Sequence, residues 1–368
     1  MPNFNGQMNR NPLWSTLFNA VEYIRTIKNI SVGNRLVDEA RISGNLYGDT
    51  KLYYTIFKLP VNRWATDPVT GEVTLEALNT EAANLLQPAR PKDPAVQAIV
   101  LNKFFQSRIT LNQILGKLPF TNGADYAGFM ASVESTLDDS QRIFDFTEYN
   151  ATFGTLKAEG VKQNQTVNYS SSDNVAQVVA EKIANVLDEM GDYSEEYTDH
   201  KQSTIFDKDS LKIIVSSKWL NKFKYLDLPV IFNNSEIKEK LYKDSLNSKY
   251  FGEVINENGT VSAEEGASGE IRVLHDSVIT IDGAEKEFVA GTSLPAGVEY
   301  KAGEVYREDS EIVCKIVHVL PPYISSVNVT TAFVNPRSHD DTKYLTFGRN
   351  TIEYLKGEPF VTIKAHKE

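Results

Sequence analysis

The chain has little of what catalytic and membrane proteins usually carry. It contains one cysteine, Cys314, so no disulfide can form within one chain. In its apolar surroundings, where alternation places it on a face with Ile312 and Ile316, this thiol is expected to be a small buried hydrophobe. No run of residues approaches the roughly 18 apolar residues of a membrane span, and the first residues lack a secretion signal. We therefore expect a protein used in a cytoplasm-like compartment.

Positive charge is also scarce. The formal net charge is -11, which argues against a dedicated nucleic-acid-binding protein, because neutralising phosphates requires clustered Lys and Arg. The acidity is concentrated between Glu257 and Glu311, where 13 acidic residues stand against 4 basic ones. That segment has a net charge of -9 and leaves -2 for all other residues. It is predicted to be an acidic module set into a nearly neutral body.

Catalytic signatures are missing as well. The sequence has no phosphate-binding glycine loop, no G-x-S-x-G elbow and no histidine pair at helical metal-ligand spacing. One cluster, Ser338-His339-Asp340-Asp341, favours a solvated turn over a metal or acid–base site, because adjacent residues rarely converge on one point. The acidic stretch from Asp188 to His200 favours an exposed helix end and loop over a cation site. No catalytic residue, cofactor or metal is predicted.

Apolar residues at three- and four-residue spacing predict several helices. The longest covers residues 122–153, with Asn122 as its cap and Gly154 as its stop. At about 45 Å it exceeds a small domain and is expected to act as a spine. Other predicted helices cover residues 12–28, Asp173–Met190, the segment of Trp219 and Phe223, and Asn234–Leu246.

Strand-forming residues lie in four regions. Thr50–Phe57 and Val96–Leu101 flank a stretch from Leu59 to Pro94 that has too few apolar residues for its own core. This predicts a long two-stranded projection with a mobile tip, which gains stability on another subunit. Leu211–Val215 is a buried-type strand, and the acidic module carries short strands between Gly, Pro and Asn-Gly turns. From Glu311 onward the strands of the main body resume.

This order of elements, with its N-terminal arm, projection, spine helix, mixed α/β region, insertion and returning strands, resembles the HK97-type major capsid proteins of tailed bacteriophages over the whole chain. None of the similar segments is a catalytic fingerprint, so the specificity comes from their order. These segments are Met1-Pro2-Asn3-Phe4-Asn5-Gly6, Tyr47-Gly48-Asp49-Thr50-Lys51, Ser216-Ser217-Lys218-Trp219-Leu220-Asn221-Lys222 and Thr351-Ile352-Glu353-Tyr354-Leu355.

The resemblance implies an α+β capsid fold. Its parts would be an N-terminal arm (1–45), an extended loop (46–112), a peripheral domain with the spine helix (113–165 and 333–368), an axial domain (166–256 and 312–332) and an acidic β-rich insertion domain (257–311). It also implies a structural protein without enzymatic activity. Such a protein self-assembles into hexamers and pentamers, and these form the icosahedral head around a double-stranded DNA genome.

The implied partners are further copies of the chain, a portal and minor capsid proteins. Because no long acidic helical leader is seen, a separate scaffolding protein is expected to aid assembly in the host cytoplasm. DNA would be enclosed without sequence-specific binding. Basic residues near the projection's tip are expected to meet carboxylates on a neighbour. The candidate inter-subunit contacts are Trp14, Arg63, Trp64, Arg90, Lys92, Asp138 and Asp139.

Some family members form lysine–asparagine crosslinks between subunits. Here no motif identifies a pair among the available residues, and no crosslink is predicted. The available residues are Lys51, Lys58, Lys92, Asn335 and Asn350.

Two alternatives stay open at this stage. The same fold builds encapsulin-like nanocompartments, which enclose a cargo protein instead of a genome. A carboxylate-dependent hydrolase centred on His339 would instead show turnover that is lost in an Asp340→Asn/Asp341→Asn variant, although the site lacks the mutual geometry that an enzyme requires.

Overall fold

The computed structural model describes residues 35–44, 50–58, 72, 92–112, 123–170, 174–202, 204–224, 243–262, 269–281, 284–326 and 329–367. Over these ranges the helices are α1 (Arg35–Ala40), α2 (Gly123–Thr155), α3 (Val175–Met190) and α4 (Ser217–Lys224), with a 3-10 turn at Ser248–Tyr250. The fold is a mixed α+β fold.

The strands of the described ranges fall into two larger sheets and a small module. In chain order they are β1 (Arg41–Ser43), β2 (Thr50–Thr55), β3 (Ala95–Asn112), β4 (Asn164–Tyr169), β5 (Lys212–Ser216), β6 (Asp244–Leu246), β7 (Gly252–Val254), β8 (Gly259–Thr260), β9 (Ile271–Val273), β10 (Ser277–Ile281), β11 (Ala284–Phe288), β12 (Glu299–Tyr300), β13 (Val305–Glu308), β14 (Ile312–Val317), β15 (Tyr323–Ser325), β16 (Val329–Asn335), β17 (Asp340–Asn350) and β18 (Phe360–Lys367).

The first sheet, here the long sheet, has the order β1-β15-β17-β3-β2, with β16 also paired to β17. Its axis is β3, an 18-residue strand. One end of β3 pairs antiparallel with β2 and the remainder with β17. Exposed residues alternate with less exposed ones along β3, as expected for a strand that buries one face.

Helix α2 covers the inner face of the long sheet. Phe129 and Val133 pack with Leu111, while Leu137 packs with Leu345 and Phe347. These helical positions are spaced by four residues and therefore lie on one face of the helix. The helix and the sheet thus share a core that neither forms alone.

The second sheet, here the central sheet, has the order β4-β18-β14-β5-β6. Its middle strand β14 is buried along its whole length, which is typical of a strand covered on both faces. Helices α3 and α4 cover one face. The C-terminal end of α2 packs against the other, through Tyr149 and Phe153.

The small module runs from Gly252 to Glu308. It contains a three-stranded sheet, β7-β13-β9, and the pairs β10-β11 and β8-β12. A separate cluster of apolar residues, including Ile271, Val273 and Val305, forms its core. The strands predicted for the acidic segment lie here, and strand β7 begins five residues before that segment.

The predicted helices over 122–153 and 173–190 correspond to α2 and α3, but the prediction that Gly154 ends its helix is wrong. Helix α2 continues through Gly154 to Thr155. A Cβ at position 154 would lie 2.0 Å from the carbonyl oxygen of Tyr250. Glycine is therefore required here because helix and turn approach closely.

Further differences concern three local predictions. The helix predicted for Asn234–Leu246 is wrong at its end, where Asp244–Leu246 forms β6 and completes the edge of the central sheet beside β5. Cys314 is buried, but a bulge between Ile312 and Cys314 breaks the alternation. Cys314 and Ile312 consequently pack in different cores.

The last strand also differs from its predicted grouping. Strand β18, assigned by resemblance to the peripheral part, pairs with β14 and β4 in the central sheet. The predicted helix at 12–28, residues 59–71 and 73–91 of the projection, and residues 234–242 lie outside the described residues.

Candidate functional site

Exposed apolar side chains form a row on one face of the β2-β3 pair. Strands β2 and β3 pair in register, with Leu52 opposite Ala98 and Tyr54 opposite Val96, so alternate residues of both strands share this face. The row, here the apolar stripe, consists of Leu52, Tyr54, Ile56, Val96 and Val100, which are 46–73% exposed. A contiguous patch of this kind marks an interaction surface, whereas single exposed apolar residues do not.

The opposite face of the same strands is buried. Ile99 and Leu101 of β3 pack with Ile324 and Leu355. A bulge opposite Arg349 and Asn350 shifts the alternation of β3, so Phe104 lies on this side too: a Cβ at position 348 would come within 3.1 Å of the Phe104 ring and 3.3 Å of the Leu101 side chain. The stripe therefore belongs to a well-packed sheet, although its own side chains are uncovered.

Two loops fix the base of the β2-β3 pair. Thr55 Oγ1 lies 2.8 Å from His200 Nδ1, and Gln202 Nε2 donates to the Ile56 carbonyl at 3.0 Å. On the other strand, Gln97 donates to the Tyr354 carbonyl at 3.0 Å and accepts from the backbone N–H of Lys356 at 2.9 Å. Both strands are thereby tied to loops that flank the central sheet.

Of the predicted contact residues, three lie within the described ranges. Lys92 precedes β3 with its ammonium 4.1 Å from the centre of the Phe57 ring. Asp138 is exposed and Asp139 half-buried on α2; within the described residues, no ion pair is formed by either aspartate. The structure does not bring Lys92 together with these aspartates. Trp14, Arg63, Trp64 and Arg90 lie outside the described residues.

A buried ion pair joins α2 to the long sheet. Arg349 on β17 is 1% exposed and Asp145 on α2 is 2% exposed. The guanidinium donates to both carboxylate oxygens of Asp145, at 2.7 and 2.9 Å. The Tyr323 hydroxyl donates to Asp145 at 2.8 Å, and Arg41 adds a contact at 3.2 Å. Burial, helped by the charge of Asp145, raises the pKa of Tyr323 well above its usual range, so this hydroxyl keeps its proton.

A second buried charge lies where α2 ends. Lys315 on β14 is 1% exposed. Its ammonium donates to the carbonyl oxygen of Phe153 at 3.1 Å and to that of Leu156. Burial, together with the charge of Lys364, lowers the pKa of Lys315 to about 7. The Phe153 carbonyl belongs to the last turn of the helix, where intrahelical donors are lacking, and Leu156 directly follows the helix end at Thr155. Lys315 supplies a hydrogen-bond donor to both carbonyls.

The histidines do not form a common site. His275, His318 and His366 each contact one glutamate, Glu148, Glu358 and Glu311 respectively, at 2.6–3.1 Å. His339 lies in the turn between β16 and β17, with the positive φ of 54° that polar turn residues tolerate.

The acidic stretch from Asp188 is also engaged in side-chain contacts. Glu189 accepts from Tyr197 at 2.6 Å and Lys162 at 3.1 Å. These hydrogen bonds lower the pKa of Glu189. In the described part of the chain no group of three His, Cys, Asp or Glu residues could hold a metal ion, and no helix there is long and apolar enough to cross a membrane.

Sequence reasoning missed the residues that fix these elements. Asp145 and Arg349 are 204 positions apart, and nothing in either local sequence indicates their pairing. Lys315 interrupts an otherwise apolar strand, which is a usable signal, because a lysine there must find buried acceptors. The apolar stripe could also have been predicted, because apolar residues occupy both alternating rows of β3 near its start.

Comparison with solved structures places this architecture among phage capsid structures. A chain of the capsid structure of Staphylococcus phage Andhra is similar with a TM-score of 0.60 at 12% identity, covering 94% of this chain and 87% of that chain. A chain of the structure of the head fiber and inner core protein gp22 of native bacteriophage P68 gives a TM-score of 0.55 at 15% identity, with 93% and 88% covered. No protein-family model matches the sequence, and no curated protein matches it.

The chain therefore has the fold found in phage capsid structures. At 12–15% identity the likeness is one of fold, and it confirms the α+β capsid fold predicted from the order of elements.

Proposed function

We propose that this chain is the major capsid protein of a tailed phage. Many copies would assemble into hexamers and pentamers that close an icosahedral head around double-stranded DNA. The observation that carries the proposal is the shared fold over 94% of the chain at a TM-score of 0.60. The apolar stripe supports it, because a chain that acts as a building block must leave apolar surface for its neighbours.

In this proposal the parts of the molecule take different tasks. Helix α2 with β16 and β17 of the long sheet would form the peripheral domain, and the central sheet with α3 and α4 the axial domain. Residues 1–45 would be an arm, and residues 46–112 an extended loop that lies over a neighbouring subunit. The apolar stripe, on the described base of that loop, would be buried when neighbours assemble.

Charged contacts would orient the neighbours. Lys92, with Arg63 and Arg90, would meet Asp138 and Asp139 on the spine helix of an adjacent subunit. Such rim pairs are worth only about 0.2–1 kcal/mol each. They would therefore set the register, while the stripe would supply most of the affinity.

The small module would face outward. Its acidic segment has a net charge of -9, which packed DNA would repel at the inner surface. A density map with this segment lining the interior would contradict that orientation. A scaffolding protein, a portal and minor capsid proteins would be separate partners, and assembly would take place in the host cytoplasm.

Electron microscopy of the purified protein, expressed alone and with neighbouring genes, tests the proposal. Closed shells of uniform diameter, or capsomer rings, are expected. A protein that stays a monodisperse monomer under both conditions would argue against a capsid role. Shells filled with another protein instead of DNA in the native particle would favour a nanocompartment.

A matched pair of variants tests the role of the stripe. Val100 is 46% exposed within the stripe, and Val161 is 89% exposed in a turn away from it. Val100→Asp is expected to leave the subunit folded, by circular dichroism, and to suppress assembly. Val161→Asp should assemble as the unaltered protein does. Equal assembly of both variants would remove the stripe from the interface.

A further inference from the structure

Both faces of strand β16 are exposed in the described part of the chain. All seven of its residues, Val329–Asn335, are exposed. Phe333 and Val334 point to opposite faces of the strand, and they are 60% and 48% exposed. Neither face of β16 is therefore buried by the residues that the structure describes, although the strand is regular and paired with β17 over its whole length.

The unpaired edge of β16 is continuous with the edge of β15, which is already paired with another strand. Strands β15 and β16 follow each other along the same side of β17. Beside β15 this edge is taken by β1, and the backbone N–H of Gly44 donates to the Ser325 carbonyl at 2.8 Å. The next strand of the chain, β2, pairs at the opposite edge of the sheet. No strand of the described chain takes the position beside β16.

The sequence of β16 lacks the usual protection of a free edge. Edge strands commonly carry charged residues or proline, which prevent pairing with another chain. Val-Thr-Thr-Ala-Phe-Val-Asn contains neither, and it is rich in the β-branched and aromatic residues that favour strands. Its backbone donors and acceptors are thus available for strand addition.

The same sequence is compatible with pairing to itself. Full antiparallel overlap of two copies is centred on Ala332. It places Thr331 opposite Phe333 of the second copy and Thr330 opposite Val334. Such pairs are favourable across strands, and no like charges oppose each other. Because a second copy has the same sequence, its β16 edge also has the same length.

We propose that β16 of one copy pairs antiparallel with β16 of a second copy about a twofold axis at Ala332, joining their long sheets into one. This inference rests on the proposed function, because a closed icosahedral shell contains twofold axes at which identical surfaces meet. Its occupant is a second copy of this chain, and not residues 1–34 of the same chain or a different protein.

Cysteine crosslinking tests the register. In an Ala332→Cys variant the two cysteines would face each other with Cα atoms roughly 4.5–5.5 Å apart, within disulfide range. Oxidation of assembled particles should yield a dimer on non-reducing gels. In the matched Thr330→Cys variant the equivalent residues would be about 14 Å apart, and no dimer should form. The native Cys314 is buried and should not contribute.

Charge substitution provides a second measurement. Ala332→Lys places two ammonium groups opposite each other and should raise the concentration needed for assembly by about two- to fivefold. Mixing it with Ala332→Glu should restore assembly, because unlike charges then meet. Monomeric variants that keep the unaltered circular dichroism spectrum would exclude a folding defect.

The outcomes separate this inference from the proposed function. Shells that form without crosslinking of Ala332→Cys would overturn the strand pairing and leave the capsid role intact. Crosslinked dimers without shells would support the pairing and contradict the capsid role. Soluble monomers that give neither would overturn both. Restoration by mixing is expected only if residue 332 meets its own counterpart.

Discussion

Removing the charge of Asp145 should strongly destabilise the isolated subunit. Asp145→Asn keeps the size of the side chain and an oxygen that can accept from Tyr323. It leaves the Arg349 guanidinium, 1% exposed, without a counter-ion between the rings of Tyr323 and Phe347, whose centres lie 5.5 and 4.8 Å away. An uncompensated buried charge of this kind costs about 3–5 kcal/mol.

A double variant separates the cost of the charge from that of lost contacts. Asp145→Asn/Arg349→Met removes both charges, and the introduced amide can still accept the hydrogen bond from the Tyr323 hydroxyl. Because a buried ion pair contributes little net stability compared with an apolar replacement, most of the loss should be recovered. The interaction between the two sites is obtained from the full cycle with Arg349→Met alone.

Urea unfolding of unassembled subunits, followed by tryptophan fluorescence, measures these changes. Trp219 is a suitable reporter because it is 2% exposed in the core of the central sheet. The control is Lys157→Gln, since Lys157 and Glu253 form a 3.3 Å pair with both side chains at least half exposed. That pair should contribute less than about 1 kcal/mol. A loss in Asp145→Asn no larger than in this control would refute the reasoning.

Three further predictions concern helix ends, pH and charged contacts. Gly154→Ala should cost about 1–3 kcal/mol in unfolding free energy, because its Cβ would lie 2.0 Å from the Tyr250 carbonyl oxygen. The control Gly128→Ala in the same helix, with open space around its Cβ, should instead gain about 0.5–1 kcal/mol; equal effects would contradict close packing at Gly154. Lys315 has a folded pKa of about 7, below the ~10.4 of an unfolded lysine, so between these values the unfolded state binds more protons. The stability of the unaltered protein relative to Lys315→Met should therefore rise from pH 7 toward pH 10, by at most about 1.4 kcal/mol per pH unit, and a flat difference in urea unfolding would exclude a buried neutral lysine. Lys92→Glu should raise the critical assembly concentration, measured by light scattering, by about two- to fivefold. Adding Asp138→Lys/Asp139→Lys to the same chain should reverse part of that effect. If it does not, Lys92 does not contact these aspartates across the interface.

Local patterns predicted α2, α3 and the buried strand β5 because each depends on neighbours within a few turns. Helix α2 runs from Gly123 to Thr155, and its apolar spacing indicates almost the same range. The sheet order could not be obtained in this way. Strand β3 pairs with β17, more than 220 residues later, and a single sequence carries no information on which of several similar strands will be its neighbour.

Three features could not be predicted from the local sequence: the role of Gly154, the pairing of Asp145 with Arg349 and the bulge before Cys314. Gly154 is equally suitable for ending a helix and for letting a turn approach it, and only the position of Tyr250 decides between the two. In the sequence, Asp145 cannot be distinguished from the other polar residues of an amphipathic helix, and only the folded structure shows that Arg349 pairs with it. The bulge before Cys314 likewise depends on the pairing of β14 with β18 and shifts one residue to the opposite face.

The distribution of apolar residues separates folding from assembly in this molecule. Its inner clusters hold α2 on the long sheet, α3 on the central sheet and the small module together, and each is closed within the subunit. The stripe and β16 add apolar surface that contributes nothing to these cores. Substitutions at Asp145 or Gly154 should therefore change the unfolding free energy of the subunit, whereas those at Val100 or Ala332 should change only association. It follows that subunit stability and shell stability can be altered independently, because different residues determine them.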